Sequence, residues 1–194
     1  TAASYAQAPV NDDPCNAIAL TPAATCTYQT FTNANATGST GMAVPACANY
    51  SGGDVWFKVT VPAGGALTFD TQEGVMTDGG MAIYRGNSCL ALVLISCDDN
   101  SSVNGNMPKI TVTGLNPGST VYARVWENGN NNNGTFGICV TIPPPAPVND
   151  DPCTAIELTA GAACNYQTFT NESATNTNSV PAPVCAGFLG GEVW

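Results

Sequence analysis

The stretch DVWFKVTVPAGGALTFDT, Asp54–Thr71, decides the fold class. Within it Val55, Phe57, Val59 and Val61 alternate with Trp56, Lys58 and Thr60. Side chains two residues apart share one face of a strand, so this half reads as a β-strand with one apolar and one mixed face. Pro62–Gly65 supplies turn residues, and Leu67 and Phe69 resume the alternation on a second strand.

The same period of two continues outward. Met81 and Ile83 oppose Ala82 and Tyr84; Ile110 and Val112 share a face, as do Val121, Ala123 and Val125, and Phe136, Ile138 and Val140. The apolar run LALVLIS, Leu90–Ser96, reads as a buried strand between Cys89 and Cys97. Upstream, Thr27–Asn33 alternates, Cys15–Thr21 reads as a short strand or a single helical turn anchored by Ile18 and Leu20, and Ala34–Gly53 is a long polar loop. Roughly eight or nine short strands separated by Gly, Pro and Asn, with no convincing helix, predict an all-β fold: an antiparallel, jelly-roll-like β-sandwich.

The string APVNDDPC occurs at Ala8–Cys15 and again at Ala146–Cys153. The offset that carries one onto the other aligns Ala8–Trp56 with Ala146–Trp194 without a gap, and more than half of the positions are identical. A repeat of domain length predicts beads in tandem rather than a solenoid. The expected organisation is a leader over residues 1–8, a first sandwich over 9–142, a stiff Pro-rich linker over 143–147, and the N-terminal part of a truncated second repeat over 148–194. Ser4 and Ala6 have the spacing of a signal-peptidase site, so the leader reads equally as an export-signal remnant or a flexible tail.

Charged residues are 9% of the chain, 14 acidic against 4 basic, with a formal net charge of −10. The basic footprint of a nucleic-acid or anionic-lipid binder is missing. No apolar run approaches the roughly 20 residues of a membrane-spanning helix. Of 9 cysteines, Cys15, Cys26, Cys47, Cys89, Cys97 and Cys139 fall in the first unit; Cys153, Cys164 and Cys185 match the first three of these at the repeat offset. Without His or a C-x-x-C pair, disulfides are favoured over zinc, and with them an oxidising, secreted or cell-surface location. The favoured pairs are Cys89–Cys97 around one strand, Cys26–Cys47 across the polar loop, and Cys15–Cys139 joining first and last strands, with Cys15–Cys26 as a competitor.

Chemistry is sparse. The chain has no His, so the commonest general base is absent. Asp70, Glu73 and Asp78 could be imagined as glycosidase carboxylates, but their Gly-rich setting reads as ordinary loop acidity. Calcium, which takes six to eight oxygens from flexible loops, suits Asp12 and Asp13 beside Asn11, and Asp98 and Asp99 beside Asn100; the competing reading of NDDP is an Asx turn. Trp56, Tyr84, Tyr122 and Trp126 occupy the non-core phase of their strands. There they either face a carbohydrate or protein ligand or lie beneath the Ala34–Gly53 loop.

The order DVWFKVTVPAGGALTFDT, MAIYRG, CDDN, ITVTGLNPGSTVYARVW and GTFGICV resembles the bacterial pre-peptidase C-terminal domain, the sandwich also used in collagen-binding modules of collagenases. The resemblance covers Asp54–Val140; NDDPCNAI and the added cysteines are more similar to repeated variants in large secreted or surface proteins, often exported by the type IX route. It implies a calcium site near the leading linker, at Asp12 and Asp13 and at Asp150 and Asp151. The functional expectation is a non-catalytic extracellular repeat of a bacterial adhesin, stalk or filament protein. Its partners would be neighbouring repeats, other copies in a filament, or surface polysaccharide or protein. The alternative is an accessory, polymer-binding or export-related domain of a secreted hydrolase.

Overall fold

The structure is a computed structural model and describes residues 7–177, 179–181, 183 and 190–194. These separate into two compact units, Thr1–Ile142 and Pro143–Trp194. In the first unit a 3-10 turn at Pro14–Asn16 precedes β1 (Ile18–Ala19), β2 (Gln29–Thr32), β3 (Val55–Thr60), β4 (Leu67–Gln72), β5 (Gly79–Arg85), β6 (Val93–Asp98), β7 (Lys109–Val112), β8 (Thr120–Glu127) and β9 (Thr135–Thr141). One sheet has the order β1-β3-β8-β5-β6, the other β2-β9-β4-β7. All pairings are antiparallel except β1 with β3. The result is the all-β sandwich that the alternation predicts. Among the described residues no helix is long and apolar enough to cross a membrane.

The core lies where the period of two places it. Val55, Phe57 and Val59 of β3, Met81 and Ile83 of β5, and Val121, Ala123 and Val125 of β8 pack on Leu67, Phe69, Ile110, Phe136, Ile138 and Val140 of the opposite sheet. Phe57 meets Phe31 and Phe136 edge-on, with ring centroids 4.8 and 6.2 Å apart, a geometry aromatic quadrupoles favour.

The run Leu90–Ser96 departs from expectation. Leu90 is 82% exposed, and the strand begins only at Val93 and forms the outer edge of its sheet beyond β5. An edge strand has a neighbour on one side only, and the residues of β6 are accordingly exposed or partly buried.

All three expected cysteine pairs are replaced. The bonds are Cys15–Cys89, Cys26–Cys139 and Cys47–Cys97, with Cα separations of 5.0, 5.4 and 6.1 Å, and Cys15–Cys26 is likewise excluded. A disulfide needs Cα atoms within about 7 Å, whereas a strand advances about 3.3 Å per residue; cysteines bracketing one strand therefore point to different neighbours. Adjacent strands and loops folded back over the sheet supply the partners instead. Because β2 lies beside β9, Cys26 just ahead of β2 reaches Cys139 on β9.

The second unit repeats local geometry of the first. Asn11 Nδ2 donates to Trp56 O at 3.0 Å and Trp56 N to Asn11 O at 2.8 Å; Asn149 and Trp194 make both bonds at 2.8 Å. A second 3-10 turn, Pro152–Thr154, stands where Pro14–Asn16 stands in the first unit. Cys153 and Cys164 are exposed free thiols, and Cys185 lies outside the described residues.

Candidate functional site

The outer face of the five-stranded sheet carries a cluster of aromatic and charged side chains. Trp56 and Lys58 on β3, Tyr122, Arg124 and Trp126 on β8, and Ala82 and Tyr84 on β5 share this phase. The polar loop 34–53 crosses its upper half as a strap. Trp126 Nε1 donates to Ala48 O at 2.9 Å, the Tyr84 hydroxyl to Ala43 O at 3.0 Å, and Arg124 to Ser39 O at 3.1 Å. Gly80 permits the approach: a Cβ there would stand 2.4 Å from the Trp126 ring and 2.5 Å from the Ala48 side chain. Of the four non-core aromatics, Trp56, Tyr84 and Trp126 are therefore buried, and Tyr122 alone is partly open.

Beneath the strap is an ion pair that the sequence reading did not single out. Arg124 and Asp54 have side chains 0% exposed, with Arg124 Nε 3.0 Å from Asp54 Oδ2 and a second guanidinium nitrogen donating to Oδ1 at 3.2 Å. The Nε contact is ionic; its N–H finds no hydrogen-bond acceptor in line. Trp56 Nε1 and the Ser39 hydroxyl donate to Asp54 Oδ2 at 2.8 and 2.7 Å, and the Tyr50 hydroxyl to Oδ1 at 2.6 Å. Arg124 also donates to Tyr50 Oη and lies 4.0 Å over the Tyr50 ring, a cation–π contact strengthened by desolvation. Burial alone would raise the Asp54 pKa, but the Arg124 charge and the hydrogen bonds outweigh it and hold the carboxyl below its ordinary value. Burial lowers that of Arg124, and Asp54 more than restores it. Tyr50 is pushed up by burial and then by Asp54. Asp54 and Arg124, themselves buried, hold Ser39 and Tyr50 of the loop: the cluster fastens the strap. An Arg in the same strand phase as three aromatics, in a chain with four cations, was the available signal.

The predicted carboxylate sites are dispersed. Asp12 accepts from Thr37 N at 2.6 Å and Thr37 Oγ1 at 2.7 Å, and Asp150 accepts from Thr175 at the same distances. Asp13 and Asp151 occupy the N-cap positions of their 3-10 turns without a capping bond. Asp98 accepts from Ser101 and from Lys109 N, closing the β6–β7 connection, with Asp99 beside it on the loop. Each Asp12 oxygen accepts one bond from Thr37 and keeps a further acceptor site. Among the described residues no group of three or more acidic, Cys or His side chains is placed to hold a metal. Asp70 pairs with Lys109 at 3.3 Å and accepts from Ser102, while Asp78 accepts from Asn128, so these carboxylates are committed to separate partners.

Below the strap the outer face stays open. A groove of about 430 Å³ runs between the Ala19–Pro22 segment, Lys58 and Tyr122. A second of about 450 Å³, containing Arg85, opens at the end of the sandwich.

Neither a family model nor a curated protein matches the chain. Among solved structures it is similar to the pre-peptidase C-terminal domain of a collagenase from Bacillus anthracis. That match has 10% identity and a TM-score of 0.40 over 64% of this chain and 93% of that one.

Proposed function

We propose that the chain is a non-catalytic, tension-bearing repeat module of a secreted or cell-surface protein, a spacer of the kind that forms an adhesin stalk or filament. The observation that carries this reading is the Cys26–Cys139 bond, which closes a sequence separation of 113 residues. Tension entering near Pro9 and leaving at Ile142 runs along the leading segment to Cys26, crosses the bond to Cys139 in the last strand, and bypasses the intervening sheets. Hydrogen bonds reinforce the same place: Ala23 N donates to Val140 O and Ile142 N to Ala23 O, both at 3.0 Å. The disulfides favour an oxidising compartment, and the recurrence of the Asn–Trp and Asp–Thr contacts in the second unit supports a tandem design with the Pro-rich stretch 143–147 as spacer.

Stretching the oxidised chain by its ends in single-molecule force spectroscopy tests the reading. The first unit is expected to lengthen only over its leading segment. Reductant, by opening all three disulfides, should then release about 400 Å more, the 113 residues behind Cys26–Cys139 at about 3.3–3.6 Å each. A release of that size without reductant removes the proposal. The alternative, an accessory polymer-binding domain of a secreted hydrolase, draws support from the open groove at Lys58 and Tyr122.

A further inference from the structure

The geometry points to an acidic-polysaccharide site that runs from the uncovered outer face, at Lys58 and Tyr122, round the end of the sandwich to Arg85, which stands on the opposite phase of its strand across from Val121. The chain carries 4 cations against 14 acids. Arg124 and Lys109 are spent on Asp54 and Asp70; among the described residues Lys58 and Arg85 pair with no carboxylate. Each lines one of the two open grooves, and Thr120 lines both, so the grooves adjoin. No Asp or Glu lines either groove, so no carboxylate of the lining repels an anion. Lys58 and Tyr122 are directly paired across β3 and β8, setting a cation beside a phenol ring.

The remaining lining suits sugar. Thr60 and Thr120 offer hydroxyls in the first groove, and Asn87 and Asn116 offer amides in the second. Tyr122 is anchored on the aromatic cluster under the strap yet stays partly open, so one ring edge is fixed while its surface remains available to a pyranose. Volumes of about 430 and 450 Å³ lie within the range of small-ligand clefts, and two adjoining clefts accommodate a polymer better than a single small molecule. The anionic group is a carboxylate or a sulfate, either of which Lys and Arg recognise by charge-assisted hydrogen bonds. This site does not depend on the tension-bearing reading, and either can fail without the other.

Native affinity electrophoresis of the full chain, in calcium-free gels containing polygalacturonate, dextran sulfate or neutral dextran, tests it. Retardation is expected in at least one acidic gel and not in dextran; which acidic gel retards identifies carboxylate or sulfate. Lys58→Gln and Arg85→Gln should each weaken the apparent Kd about tenfold, the loss of one hydrogen bond to a charged group. Lys109→Gln, with the same net charge but on the other sheet, should leave it unchanged. Tyr122→Ala should weaken retardation in whichever acidic gel retards the native chain. Unchanged migration in both acidic gels, equal retardation in dextran, or indifference to both Lys58→Gln and Arg85→Gln overturns the proposal.

Discussion

At the scale of single residues, Asp54 and Arg124 matter most to stability. Removing one partner of a buried ion pair strands the other charge, so Arg124→Ala should cost roughly 3–5 kcal/mol in urea denaturation. Replacing both with apolar residues of similar volume should cost less than the two single changes together. The pair also sets acid sensitivity. Asp54 has a folded pKa below the ordinary 3.8, so the folded state binds its proton less readily than the unfolded state. The resulting stability is fully present above the unfolded value and drains away as pH falls through the folded one. Thermal melts should therefore lose stability below about pH 4, the ordinary carboxylate range, and Asp54→Asn should flatten that decline. At the N-terminal turn, calcium on Asp12 and Asp13 predicts a melting temperature lowered by excess chelator in the native chain and insensitive to it in Asp12→Asn; an unchanged melt of the native chain removes the idea.

At the scale of elements, the strap is the least regular part of the first unit and yet the part that decides the character of the outer face. It forms no strand; its order comes from the hydrogen bonds to Trp126, Tyr84 and Arg124 and from Cys47–Cys97, which ties it to β6. Replacing both of these cysteines with Ser should cost roughly 2–4 kcal/mol and make Trp126 accessible to acrylamide quenching; unchanged quenching would show that the hydrogen bonds alone hold the strap. Gly80→Ala should loosen the same contact by overpacking, at about 1–3 kcal/mol. The strands themselves were legible because each carries its core residues at a period of two. The edge position of β6 was not, since composition reports how apolar a segment is and not how many neighbours it has.

At the scale of the whole molecule, disulfide topology separates this sandwich from one held by its core alone. Loss of the Cys26–Cys139 bond, through replacement of both residues with Ser, should cost about 2–5 kcal/mol and let the part of the unit outside the Cys15–Cys89 loop extend under load without reductant. The amino-acid sequence by itself determined the all-β class, the apolar face of each core strand, the acidic surface and the recurrence of the N-terminal segment, because these depend on local alternation, composition and self-comparison. The tertiary structure alone decided which cysteines pair, that Trp56, Tyr84 and Trp126 are covered, that Asp54 and Arg124 meet, and that Lys58 and Arg85 stand beside grooves free of acids. Those outcomes depend on which strands become neighbours and on where the loops fold back, and residues brought together across such long separations leave no local pattern in the chain.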